Sequence, residues 1–194
     1  MNGKIEEIKV SVKGVSPLIL NNGQTADPLN AYTKRLKEFQ SKRKKTDDDY
    51  ENISRIEWES ALYLDENNMP VIPSDCIEAM LRESAGKSRV VTKKDLQASV
   101  WVAEDAKLIT NAPFPNLDKA YEECCFRKLV RVNTARVVRT RPIFFNWKLN
   151  YTITYLPDMI NRNDLENILN VASYRIGMGD WRPKFGRFEI LEIS

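Results

Sequence analysis

Nine residues near the C-terminus constrain the fold most. Trp147, Leu149, Tyr151, Ile153 and Tyr155 alternate with Lys148, Asn150, Thr152 and Thr154. A period of two, with one apolar and one polar face, specifies a half-buried strand. The period then changes. Leu165, Ile168, Leu169, Ala172 and Ile176 fall at i, i+3, i+4, i+7 and i+11, which is one face of a helix. Asn161 or Asn163 is placed to cap that helix and Gly177 to end it. A closing strand over 185–193 completes a strand–helix–strand unit.

The first half repeats this logic. Ile8, Val10 and Val12 alternate with Lys9, Ser11 and Lys13, so 4–13 reads as a half-buried strand. A turn-rich loop follows over 16–28. Leu29, Tyr32, Leu36 and Phe39 mark a helix over 29–44. A second helix starts near Asp47–Asp49 and runs towards Ala61. Residues 63–72 read as a short hairpin around Glu66–Asn68. Ser74 or Asp75 caps a helix whose inner face is Ile77, Met80 and Leu81, with Gly86 as its stop. Within 87–125, only a strand over 98–103 and a loop over 111–115 are legible. Residues 126–132 and 136–145 read as strands. Strands on either side of two major helices predict an α+β fold, a ferredoxin-like antiparallel sheet. The expectation is a single domain over 1–194, with a charged helical insertion at 29–62.

Composition removes most catalytic templates. The chain has no histidine, hence no Ser-His or Cys-His nucleophile pair. Its three cysteines, Cys76, Cys124 and Cys125, support neither a disulfide framework nor a four-ligand zinc site. Gly86-Lys87-Ser88 resembles the end of a phosphate-binding loop, but position 81 is Leu where that motif needs Gly. Asp47-Asp48-Asp49 suits a helix start better than a cation, because consecutive helical residues diverge. No cofactor or metal is expected. No apolar run is long enough to span a membrane, and the first residues lack a signal peptide's apolar centre. A cytoplasmic protein is expected.

Charge is informative through its distribution. Thirty bases against 27 acids give only +3. Yet residues 34–45, which include Lys42, Arg43 and Lys44, hold seven bases and one acid. From 127 to 148 there are seven bases and no acid: Arg127, Lys128, Arg131, Arg136, Arg139, Arg141 and Lys148. Such clusters are the footprint of a polyanion binder. Near the C-terminus, Gly177, Gly179 and Gly186 punctuate a loop holding Trp181, Arg182, Lys184 and Phe185, followed by Arg187. Bases beside aromatics suit phosphate contact with base stacking. The competing reading is a tight helix-to-strand turn with its aromatics in the core.

Three stretches resemble the RAMP superfamily, the repeat-associated mysterious proteins of CRISPR effector complexes. One is the opening strand running into Ser16-Pro17-Leu18. Another is Val71-Ile72-Pro73-Ser74-Asp75-Cys76-Ile77 followed by Met80-Leu81-Arg82. The last is the glycine-containing loop from Gly177 to Arg187 before a final strand. The resemblance implies a ferredoxin-like (RRM-like) fold with insertions, helices on one face of the sheet, and single-stranded nucleic acid held against sheet and loops. It also implies assembly side by side, as backbone subunits do. Glu78-Ala79-Met80 stands where the family carries a glycine, which fits a divergent relative, a virus-encoded one included. Some backbone subunits cut RNA with an aspartate after the first strand; Asp27 lies in that region without the flanking motif.

The expected function is non-enzymatic binding of single-stranded nucleic acid, RNA before DNA. Arg127, Arg131, Arg136, Arg139, Arg141 and the loop residues Trp181, Arg182, Lys184 and Arg187 would make the contacts, with Lys42, Arg43 and Lys44 beside them. Arg139 and Arg141 share a strand face that Arg136 does not. Expected partners are RNA or DNA strands, and further copies or other subunits of a nucleoprotein complex. Two alternatives stand: a pocket or sponge for a cyclic oligonucleotide, and a module that docks on and inhibits a nucleoprotein complex.

Overall fold

The computed structural model describes residues 4–194, so the first three residues of the expected domain lie outside the described residues. In chain order the strands are β1 (Glu6–Gly14), β2 (Leu18–Ile19), β3 (Val71–Ile72), β4 (Val100–Trp101), β5 (Ala106–Thr110), β6 (Cys125–Val132), β7 (Ala135–Phe144), β8 (Trp147–Tyr155) and β9 (Phe188–Ile193). The helices are α1 (Ala31–Gln40), α2 (Asp47–Ala61), α3 (Ser74–Ser88), α4 (Lys93–Ser99), α5 (Leu117–Cys124) and α6 (Arg162–Val171).

Alternation decides the main sheet. Its order is β3-β5-β8-β1-β9, and β4 also pairs with β8. All of these pairings are antiparallel. Ile8, Val10 and Val12 lie opposite Ile153, Tyr151 and Leu149, and all six are buried. Lys9, Ser11 and Lys13 lie opposite Thr152, Asn150 and Lys148 on the other face. The apolar face is covered by Ile77, Met80, Leu81 and Ala85 of α3 and by Leu165, Ile168 and Leu169 of α6. The units β1-α3-β5 and β8-α6-β9 interleave, with β8 inserted between β1 and β5. This is the ferredoxin-like arrangement, with helices on one face. At the outer edge of β9, Arg162 Nη2 donates to the carbonyl of Ile193 at 3.0 Å.

A smaller sheet of order β2-β7-β6 stands apart from the main one. Sequence alternation found β6 and β7 but could not show that they leave the main sheet. The charged helices α1 and α2 lie between β2 and β3 in the chain, and α2 packs on β7.

Helix ends follow local chemistry. Thr46 and Asp49 form a reciprocal capping box at the start of α2. Lys42 Nζ reaches Asp49 Oδ1 at 2.5 Å. The Lys42 ammonium, then the Thr46 N–H, hold the Asp49 carboxyl below its usual range. That contribution is complete above the ordinary carboxylate range and fades as pH falls through the depressed value. Thr46→Ala is expected to cost about 1 kcal/mol at pH 7 by urea unfolding. Asp49→Asn is expected to flatten the acid-side decline of the urea midpoint; an unchanged decline would remove Asp49 from this account.

Three details differ from the sequence reading. Gly86 does not stop α3, which continues to Ser88 and ends at Arg89 with φ 62°. Neither Ser74 nor Asp75 caps that helix; Asp105 Oδ1 accepts from the Ser74 N–H at 2.9 Å instead. The final strand begins at Phe188, because the preceding residues belong to the glycine loop. Asn161 does cap α6, through a bond from the Asp164 N–H to its side chain. Among the described residues, no helix is long and apolar enough to cross a membrane.

Candidate nucleic-acid interface

Strands β6 and β7 form an arm closed by the two-residue turn Asn133-Thr134, where Asn133 takes φ 54°. Asparagine tolerates that left-handed conformation better than most residues. The register sorts the side chains by parity. Phe126 lies opposite Arg141 and Lys128 opposite Arg139 on one face. Arg127 lies opposite Thr140, Leu129 opposite Val138 and Arg131 opposite Arg136 on the other.

The first of these faces is spent inside the molecule. Phe126 packs 5.8 Å from the Trp181 ring and 6.0 Å from Phe185. Lys128 Nζ lies 5.2 Å from the Trp181 centroid, a cation–π contact. Arg139 Nη1 donates to Glu57 Oε1 at 2.6 Å, and Glu57 Oε2 accepts from the Thr140 N–H at 2.9 Å. Glu57 is only 4% exposed. Its carboxylate takes the place of a strand neighbour, since β2 pairs only as far as Ile143. The other face is also covered at its base, where Ser54 and Thr140 share a hydroxyl hydrogen bond of 2.9 Å and the Tyr121 hydroxyl donates to Ser54 at 2.9 Å. Arg141 Nε lies 3.8 Å from Asp180 Oδ2, with no hydrogen bond of its own. Burial lowers the pKa of the Arg141 guanidinium, and the Glu57 and Asp180 carboxylates oppose that shift. Arg139 and Arg141 share a face, as alternation requires, and both are matched by carboxylates.

Beyond Thr140, the second face is open. Arg127, Arg131 and Arg136 are exposed, and none forms an ion pair among the described residues. Between them the paired Leu129 and Val138 are 55% and 48% exposed. Arg131 and Arg136 stand directly opposite each other. A like-charge cross-strand pair is destabilising in the free molecule. Arg131 Nε also donates to the Asn133 carbonyl at 3.0 Å, which orients its guanidinium beside the turn.

The glycine loop has a structural origin. Gly177, Gly179 and Gly186 take φ of 78°, 77° and 75°. A Cβ on Gly186 would come within 1.7 Å of the Met178 carbonyl oxygen, and one on Gly179 within 2.3 Å of the Ile19 oxygen. Gly177 and Gly186 are buried; only Gly179 of the three is exposed. The loop is stitched to the Ser-Pro-Leu turn by Gly186 N to Pro17 O at 2.8 Å, Asp180 N to Ile19 O at 2.7 Å, and Arg187 N to Ser16 Oγ at 2.9 Å. The tight-turn reading therefore accounts for the glycines.

The three stretches quoted above meet at a cleft of about 210 Å³. Leu20 and Asn21 come from the segment after the Ser-Pro-Leu turn, Ile72, Pro73, Cys76 and Ala79 from the second stretch, and Gly179, Asp180 and Arg182 from the loop. Tyr63 completes the wall, and its hydroxyl donates to the Asn21 carbonyl at 3.2 Å. Burial raises both the Tyr63 phenol and the Cys76 thiol, so neither is primed as a nucleophile. Burial likewise pushes the Cys124 thiol up to about 11. Arg182 Nη2 sits 3.3 Å from Glu83. Nothing in the spacing of Tyr63 or Asn21 marked them as cleft residues.

The remaining candidates are scattered. Lys184 Nζ lies 5.8 Å from the Phe185 ring centre, and Arg187 is exposed. Lys42 is tied to Asp49, whereas Arg43 and Lys44 are exposed on the α1–α2 connection, away from the cleft lining. Asp27 accepts from the Leu29 N–H at 2.9 Å, which closes a local turn on the exposed surface.

No protein-family model matches the chain, and no curated protein matches it. Solved structures do. One chain of the cryo-EM structure of the type III-B Cmr-beta bound to cognate target RNA superimposes with a TM-score of 0.50 at 11% identity. The match covers 97% of this chain and 60% of that one. In fold, the chain resembles the RAMP subunits of type III-B CRISPR complexes. The chain thus spans about 60% of that neighbour's length. The crystal structure of Cmr6 from Pyrococcus furiosus matches at a TM-score of 0.43 and 10% identity, over 95% of this chain and 98% of that one.

Proposed function

We propose that this chain binds single-stranded nucleic acid, RNA before DNA, without acting on it chemically, as a subunit of a nucleoprotein complex. The open face of the arm carries the reading. Three arginines with no ion pair among the described residues surround two exposed apolar side chains, and two of the arginines oppose each other across the strands. A phosphate between Arg131 and Arg136 would relieve that repulsion. Leu129 and Val138 offer base faces an apolar platform. Arg182, Lys184 and Arg187 extend the basic surface at the loop, and Arg43 and Lys44 offer a more remote contact. Arg139, Arg141 and Lys128 shape the arm rather than meet the ligand. The fold neighbour bound to target RNA agrees with this assignment. The absence of histidine and the local turn that occupies Asp27 support a binder rather than a nuclease.

Anisotropy of labelled RNA against salt, at several lengths, tests it. Each phosphate contact on a single strand contributes about −0.7 to the slope of log K on log salt. Replacing Arg127, Arg131 and Arg136 together by Gln is expected to flatten the slope by about 2. An unchanged slope would move the interface elsewhere. Affinity that does not grow with length would instead favour a small-nucleotide pocket.

A further inference from the structure

We propose that the cleft between β3, α3 and the glycine loop receives one unstacked guanine base. The proposal rests on the nucleic-acid reading above and adds a base preference to it. At about 210 Å³ the cleft is smaller than a typical drug-sized site, which suits a single heterocycle. Leu20, Ile72, Pro73 and Ala79 supply apolar wall for the flat faces of a base.

The polar edge is built by Asp180. Its Oδ1 accepts from the Trp181 N–H at 2.9 Å, its Oδ2 lies 3.8 Å from Arg141 Nε, and its backbone N–H is tied to Ile19. The carboxylate is therefore held in place before any ligand arrives. A carboxylate only accepts hydrogen bonds. Guanine presents two adjacent donors, N1–H and N2–H, on its Watson–Crick edge. Adenine and cytosine set their amino donor beside a ring acceptor, and uracil flanks its single N–H with two carbonyls. Those acceptors would face the Asp180 oxygens unfavourably. The Arg182 side chain at the rim is 31% exposed, and among the described residues its ion-pair partner is Glu83. It is free to exchange that partner for the phosphate attached to the base.

Two measurements on the full chain decide the matter. The first compares labelled rU12 with the same oligonucleotide carrying one central guanosine. The second titrates GMP, AMP, CMP and UMP against the tryptophan fluorescence of the chain. About tenfold tighter binding of the guanosine-containing strand is expected, with GMP the tightest mononucleotide. Ala79→Leu, which fills the cleft from α3, is expected to abolish the preference and leave rU12 affinity unchanged, and Asp180→Asn is expected to abolish the preference. Salt-dependent binding of both strands with equal affinity would overturn the guanine site and leave the strand-binding reading intact. Failure to bind either strand would overturn that reading. GMP binding no tighter than UMP would overturn the guanine site by itself, whichever way the strands behave.

Discussion

Gly186→Ala is expected to lower the stability of the chain by about 2–6 kcal/mol. Two costs add. A non-glycine residue at positive φ is strained by about 1–3 kcal/mol, and Gly186 takes φ 75°. The added methyl would also meet the Met178 carbonyl oxygen at 1.7 Å, and backbone cannot swing aside as a side chain can. Overpacking of this kind costs about 1–3 kcal/mol. The expected melting shift is about 5–20 °C downward for a chain of this size. A shift under about 2 °C would mean that the loop reseats without loss. Gly23, which has open space around it, is the control position, and Gly23→Ala is expected to leave the melt unchanged.

Glu57→Ala is the second large effect. The change leaves the Thr140 N–H without its acceptor and Arg139 without its partner. Breaking a buried pair costs about 3–5 kcal/mol, but Arg139 is 37% exposed and regains water. The lower end, about 3 kcal/mol by urea unfolding, is therefore expected. Glu57→Gln keeps an acceptor for Thr140 and is expected to recover part of that loss. If both variants unfold at the wild-type midpoint, the α2–β7 contact does not hold the arm. If Glu57→Ala folds, its arm is expected to be cut faster by trypsin, since Arg127, Lys128, Arg131, Arg136 and Arg139 offer sites once the base loosens.

Parity made the arm's two faces legible in advance. Sequence alone separates Arg139 and Arg141 from Arg127, Arg131 and Arg136. It does not say which set faces water. That depends on Glu57 and Asp180, which come from a helix and a loop far away in the chain. The same limit explains the glycines. The loop's three glycines stand out in the sequence, but what requires them is close backbone, Phe185 and Gly186 at Gly177, Ile19 at Gly179 and Met178 at Gly186. Most of residues 87–125 was illegible because α4 has seven residues and β5 only five, too short for a period to declare itself, and the strand expected over 98–103 is only Val100–Trp101. The main strands and α6 were legible because each has a single buried face over two or more turns or pleats.

The order in which the sheet is assembled has a consequence for synthesis. β1 lies between β8 and β9, both drawn from the last third of the chain, and Ile8 meets Ile153. A ribosome adding about 5–20 residues per second leaves roughly 7–30 seconds between those two residues. Throughout that interval β1 has no partner on either side, and α3 has no completed sheet to cover. The nascent chain therefore carries an unpaired apolar strand until its final quarter emerges, when β8 slots in beside it and folding can finish in one cooperative step.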